Sequence, residues 1–78
     1  MTKNDSPAPH LLLDRITGRQ LEVLLCICNE MNTKEIAEHL GIGSKTVETH
    51  RANLMQRTGA KTIVGLVRAA IRNKVIEA

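Results

Sequence analysis

Lys45, Thr46, Glu48, Thr49, Arg51, Ala52 and Asn53 crowd into one short stretch and carry most of the group types that recognise the edge of a base pair. Lysine and arginine donate to guanine O6 and N7, and asparagine pairs with adenine. A carboxylate accepts from the cytosine amino group, and the methyl of threonine or alanine meets that of thymine. Lys45, Glu48, Thr49 and Ala52 follow i, i+3, i+4 and i+7, so a helix would bring them to one side. Val47, His50 and Leu54 follow i, i+3 and i+7 and would form the opposite, inward side. On this reading Lys45, Thr46 and Arg51 serve phosphates or guanines, and Glu48, Thr49, Ala52 and Asn53 serve base edges. Ser44 joins them at the helix start. Lys34 and Lys61 lie near the flanking turns, where they would anchor phosphates and fix register without reading sequence. The plainer alternative is a solvated face on a structural bundle, and the turn before the stretch argues against it.

A helix that presents such a face needs a second helix to hold it. Ile36, Ala37 and Leu40 fall at i, i+1 and i+4 and predict a short one just upstream. Gly41 stands where that helix must stop and reverse, a place that usually needs a left-handed backbone. Ala37 is small enough to let the two helices cross closely, and Gly43 or Ser44 would cap the next helix. This is a helix-turn-helix signature.

The remaining chain supplies two more helices. Thr17 and Gln20 have the spacing of a capping box and open a helix over 18–29. Its inward face is expected from Leu21, Leu24, Leu25 and Cys28, widened by Val23 and Ile27. Asn32 or Thr33 would cap a helix over 33–40, the groove-facing helix would run over 44–58 to a stop at Gly59, and Thr62 would cap a last helix over 63–73. Ile63, Val64, Leu66, Val67, Ala69, Ala70 and Ile71 carry the apolar surface of that last helix well past one core-facing stripe, so part of it should meet another subunit. The fold class is all-α, a compact four-helix helix-turn-helix domain over 14–78. Residues 1–13, with Pro7 and Pro9, have the composition of a tail or linker remnant. Leu11, Leu12 and Leu13 are out of place in a solvated tail, and at least one of them is expected to pack onto the domain.

Composition narrows the function classes. A chain of 78 residues without Phe, Tyr or Trp must build its core from aliphatic side chains, Met and Cys, which suits packed short helices. The net charge of +3 favours a polyanionic partner only mildly. The longest apolar run, Val23 to Cys28, is far short of the roughly 20 residues that span a bilayer, and no signal-peptide pattern opens the chain, so a soluble intracellular protein without membrane contact is expected. Cys26 and Cys28 would point to nearly opposite sides of a helix, which suits neither a disulfide nor a shared metal. They read as reduced core or boundary residues. His50 is placed toward the core, in a hydrogen-bonded packing role rather than as a metal ligand or pH switch, and His10 and His39 have no ligand-spaced partners. With no Ser-His-Asp set, phosphate loop, HExxH pair or carboxylate dyad, neither catalysis nor a cofactor is expected.

On these residues the chain resembles the LuxR-type helix-turn-helix domain, the DNA-binding module of NarL/FixJ-type response regulators and of quorum-sensing regulators. The resemblance covers residues 16–76. It rests on Ile16-Thr17 with Arg19 and Glu22-Val23-Leu24, on Lys34-Glu35-Ile36-Ala37, on Thr46-Val47-Glu48-Thr49-His50-Arg51, and on Leu66-Val67-Arg68-Ala69-Ala70-Ile71. It implies a bacterial, cytoplasmic, nucleoid-associated transcription regulator, or the C-terminal effector domain of a two-component response regulator. Such a protein would bind a near-palindromic double-stranded DNA site as a homodimer, with its third helix in the major groove. It also implies a dimer contact on the last helix, for which Val64, Val67, Arg68 and Ile71 are the candidates. RNA polymerase would be a further partner, and docking on polymerase or another regulator as a protein-interaction module is the alternative function. The chain departs from the family pattern at three places. Glu30 stands where a glycine usually ends the first helix, so Asn29 is expected to take the left-handed conformation there. Gly43 replaces the usual serine cap, and Glu48 replaces a common lysine.

Overall fold

The computed structural model describes residues 15–77, so the expectations for the 1–13 tail and for Leu11 to Leu13 lie outside the described residues. The described chain forms α1 (Gly18–Cys28), α2 (Thr33–Leu40), α3 (Ser44–Thr58) and α4 (Ile63–Arg72), an all-α fold with boundaries within a residue of those expected. α1 and α3 make its centre. Each packs on the other and on both α2 and α4.

Local chemistry starts the helices. Thr17 Oγ1 accepts from the Gln20 amide at 3.1 Å while Gln20 Oε1 accepts from the Thr17 amide at 3.0 Å, completing the capping box. Asn32, rather than Thr33, caps α2 in the same reciprocal way with Glu35, both bonds being 2.8 Å. Thr62 Oγ1 accepts from the Gly65 amide at 3.0 Å and opens α4. α3 differs. Its N-cap is Gly43, with no side-chain cap bond, and Ser44 is already the first helical residue. The first amides of α3 are therefore left without a side-chain acceptor, at the end of the helix where an anion is favoured.

The helix ends use left-handed residues. Gly41 at φ 68° and Gly59 at φ 75° reverse the chain after α2 and α3, as expected. At the end of α1 the expectation fails. Asn29 stays at φ −89° and Glu30 takes the left-handed turn at φ 64°. The reason is the bonding that closes the helix. The Met31 amide donates to the Cys26 carbonyl at 3.1 Å and the Glu30 amide to the Ile27 carbonyl at 2.9 Å, a Schellman pair that puts the left-handed residue at Glu30. Lys74, at φ 58°, closes α4 in the same way. A β-carbon in this conformation costs roughly 1 to 2 kcal/mol. Glu30→Gly is therefore expected to raise the melting temperature by about 4 to 8 °C per kcal/mol recovered, and an unchanged or lowered melting curve would show that the turn carries no strain.

The core is aliphatic. Val23, Leu24, Ile36, Val47, Leu54 and Leu66 are its largest fully buried side chains, with Ala70 beside them. Ala37, buried on α2, is part of the same cluster. The inward face of α1 is rotated from the one expected. Gln20, Val23, Leu24 and Ile27 are buried with Cys26, whereas Leu21 and Cys28 are half-buried and Leu25 is exposed at 37%. Gln20 sits at the edge of the core because its amide oxygen is consumed by the cap, so its methylenes can pack inward without stranding that acceptor. Both cysteines are free, and burial pushes both thiols above their ordinary range, Cys26 further helped by the nearby Glu22 carboxylate. The raised pKa keeps them protonated and poorly reactive. Among the described residues, no helix is long and apolar enough to cross a membrane.

Candidate nucleic-acid interface

α3 divides cleanly between a packed side and an open one. Val47 and Leu54 are fully buried, while Ser44, Lys45, Thr46, Glu48, Thr49 and Ala52 are all exposed. α2 packs against α3, and the open side of α3 is left to solvent as a ridge of exposed side chains. Asn53 is half-buried at the flank of that ridge. Lys34, on the first turn of α2, and Lys61, before α4, are exposed on the segments that border α3.

Hydrogen bonding sorts these side chains further. Thr49 Oγ1 donates to the Lys45 carbonyl at 3.1 Å, which occupies its only proton. Arg51 is half-buried, and its Nη1 donates to Thr33 Oγ1 at 3.3 Å, tying the middle of α3 to the first turn of α2. That bond draws its guanidinium toward α2. Periodicity carried a signal for this, since Arg51 is four residues from Val47 and three from Leu54 and therefore borders the buried face. Thr33 as its acceptor had no such signal. Glu48 is in no ion pair among the described residues, where the salt bridge joins Arg19 to Glu22 at 3.2 Å. Arg57, near the end of α3, donates to the Arg15 carbonyl and ties that end to the segment before α1. His50 does not take the hydrogen-bonded role expected of it. It is half-buried, and its Nδ1 is buried with no hydrogen-bond partner among the described residues. No group of His, Cys, Asp and Glu that could hold a metal occurs among those residues either.

α4 carries a second open stripe. Leu66, Ala69 and Ala70 face the core, and Val64, Val67, Arg68 and Ile71, at i, i+3, i+4 and i+7, run along the adjoining side. Val64 is 66% exposed and Arg68 is exposed, while Val67 and Ile71 are half-buried and Val67 also touches the core.

A family model, that of the bacterial regulatory proteins of the luxR family, matches residues 14–70 and so takes in α1, the whole helix-turn-helix and most of α4. The chain belongs to the luxR family. Among curated proteins, this luxR-family domain is 43% identical over 63 residues to the transcriptional regulatory protein MctR of Rhizobium johnstonii, a match covering 81% of this chain and 29% of that protein. It is 39% identical over 62 residues to the oxygen regulatory protein NreC of Staphylococcus aureus strain JH9, covering 80% of this chain and again 29% of the relative. The chain thus spans under a third of the length of these relatives. No solved structure matches it. Membership makes this a helix-turn-helix domain of DNA-binding transcription regulation, the class to which the exposed ridge of α3 had pointed.

Proposed function

We propose that this domain forms domain-level contacts with a near-palindromic double-stranded DNA site as a homodimer. α3 lies in the major groove, the α4 stripe joins the two copies, and the unit acts as the DNA-binding effector of a cytoplasmic bacterial transcription regulator of the response-regulator kind. The observation that carries this reading is the two-sidedness of α3. A ridge of exposed base-reading side chains backs directly onto fully buried Val47 and Leu54, so groove insertion needs no rearrangement of the core. The DNA-binding domain is assigned to 14–78, with 1–13 as a tail or linker remnant. Lys45, Ser44 and Thr46 approach from the N-terminal end of α3, Glu48, Thr49, Ala52 and Asn53 meet base edges, and Lys34 and Lys61 hold phosphates on either side. Arg51 reaches the backbone from beside α2. The task is binding, not catalysis, and it calls for no cofactor.

Salt dependence tests this reading. Each neutralised phosphate contributes about 0.9 to the slope of log affinity against log salt, so a dimer using these anchors should show a slope of several units. Replacing Lys61 with alanine should lower that slope and weaken all sequences alike. Binding that is nearly independent of salt between roughly 50 and 200 mM would rule out the anchoring roles of Lys34, Lys45, Arg51 and Lys61. A second reading, docking on RNA polymerase or another regulator, draws on exposed Leu25 and Val64. A mobility-shift assay with genomic fragments separates the two, since a pure docking module retards none of them.

A further inference from the structure

Resting on the DNA-binding reading above, we infer that the middle turn of α3 reads pyrimidines on one strand: a cytosine under Glu48, with thymines under Thr49 and Ala52. The inference follows from what those side chains have left to offer. Thr49 has given its only proton to the Lys45 carbonyl, so it presents a methyl group and an acceptor lone pair. Ala52 presents a methyl. Glu48 is exposed, in no ion pair among the described residues, and as a carboxylate it accepts only. Arg51 is turned toward Thr33 and Asn53 is half-buried at the flank. The centre of the ridge therefore holds acceptors and methyls and lacks a donor.

The major groove is selective against such a surface. Guanine shows two acceptors there and would face the Glu48 carboxylate with lone pairs, adenine sets its amino donor beside the N7 lone pair, which repels the second carboxylate oxygen, and either purine would meet the two methyls with an unmatched polar edge. Cytosine shows an amino donor and thymine a methyl. From Glu48 to Ala52 the helix rises about 6 Å, which matches roughly two base-pair steps, so these contacts fall within about three consecutive base pairs. Lys45, one turn earlier on the same face, supplies the donor at the edge of the site. The carboxylate works by exclusion as well as attraction, since it repels phosphates and the wrong base edges.

The test begins with duplexes recovered by the wild-type domain from a randomised pool, in which each half-site should contain a cytosine next to thymines. Replacing those thymines with deoxyuridine, which removes only the methyl, should weaken binding roughly five-fold or more. Placing 7-deazaguanine opposite the cytosine should change nothing, because that guanine is not read. Thr49→Val, which keeps the methyl, should lose less affinity than Thr49→Ser, which removes it and should lose affinity to the extent that deoxyuridine does. Glu48→Gln should admit adenine at one base pair of each half-site. Insensitivity to deoxyuridine, loss with 7-deazaguanine, the reverse order for the Thr49 variants, or an unchanged Glu48→Gln profile would each overturn the pyrimidine assignment while leaving DNA binding intact. Failure to recover any duplex would overturn the DNA-binding reading itself.

Discussion

Leu54→Ala is expected to leave the domain largely unfolded at 37 °C. Leu54 is fully buried on α3 and shares one core with Val23 and Leu24 of α1, Ile36 of α2 and Leu66 of α4, so its side chain belongs to the single cluster to which all four helices contribute. Truncating a leucine in such a place costs roughly 2 to 5 kcal/mol, the spread reflecting how far the neighbours collapse into the gap. Collapse is restricted here. The surrounding side chains are aliphatic and belong to helices pinned at their N-termini by the Thr17, Asn32 and Thr62 caps. A core of this size supplies only about 3 to 5 kcal/mol of net stability, so the loss is comparable to the whole. With roughly 4 to 8 °C lost per kcal/mol, the melting temperature should fall by at least about 8 °C. Leu54→Met, which nearly conserves volume, should cost under about 1.5 kcal/mol and serves as the control. Thermal unfolding followed by circular dichroism decides the matter, and a Leu54→Ala domain melting within a few degrees of wild type would show that the α3 core is not what holds the helices together.

Sequence spacing gave away those features whose partners are close along the chain. The Thr17–Gln20 box, the Thr62 cap and the Gly41 and Gly59 stops are each settled within a few residues, by a side chain that reaches a nearby amide or by a glycine free to turn left. The phase of α1 was harder, because Val23 to Cys28 is apolar throughout and several helical stripes can be drawn through it. What fixed it was Gln20, a polar residue that the cap allows to sit against the core, which rotated Leu25 outward. The turn after α1 departs from local propensity for a related reason. Asn29 has the better intrinsic tolerance for a left-handed backbone, but Met31 packs against the core and its amide closes onto Cys26, which assigns that conformation to Glu30. At the interface, exposure of Lys45, Glu48, Thr49 and Ala52 was legible from periodicity, whereas the Arg51–Thr33 bond was not, since it joins two helices across the turn. His50 shows the same limit. Its inward placement could be read, but not that its Nδ1 has no hydrogen-bond partner among the described residues.

Val64→Lys should abolish most of the advantage of paired half-sites while leaving the fold intact. Val64 is 66% exposed and has little core contact to lose, and the same stripe already carries the Arg68 cation one turn on. In a two-fold contact the same stripe faces itself, so each added lysine meets apolar surface and like charge on both copies. Of that stripe Val64 and Arg68 are exposed and Val67 and Ile71 half-buried, so it should bury less than the roughly 800 Å² per partner of a stable interface, and the free domain should be monomeric when dilute and pair on DNA. Joining two binding events in this way commonly raises affinity by about 10² to 10⁴ over one site, and that factor is what the variant should remove. An added lysine also strengthens non-specific attraction to phosphate, so the readout is the ratio of affinities for a paired site and a single half-site, in which that contribution largely divides out. Val67→Lys should lose stability and cooperativity together, because Val67 is half-buried against the core. An unchanged ratio in Val64→Lys would remove α4 from the dimer contact, and a fall in melting temperature matching the loss of binding would place Val64 in the core instead.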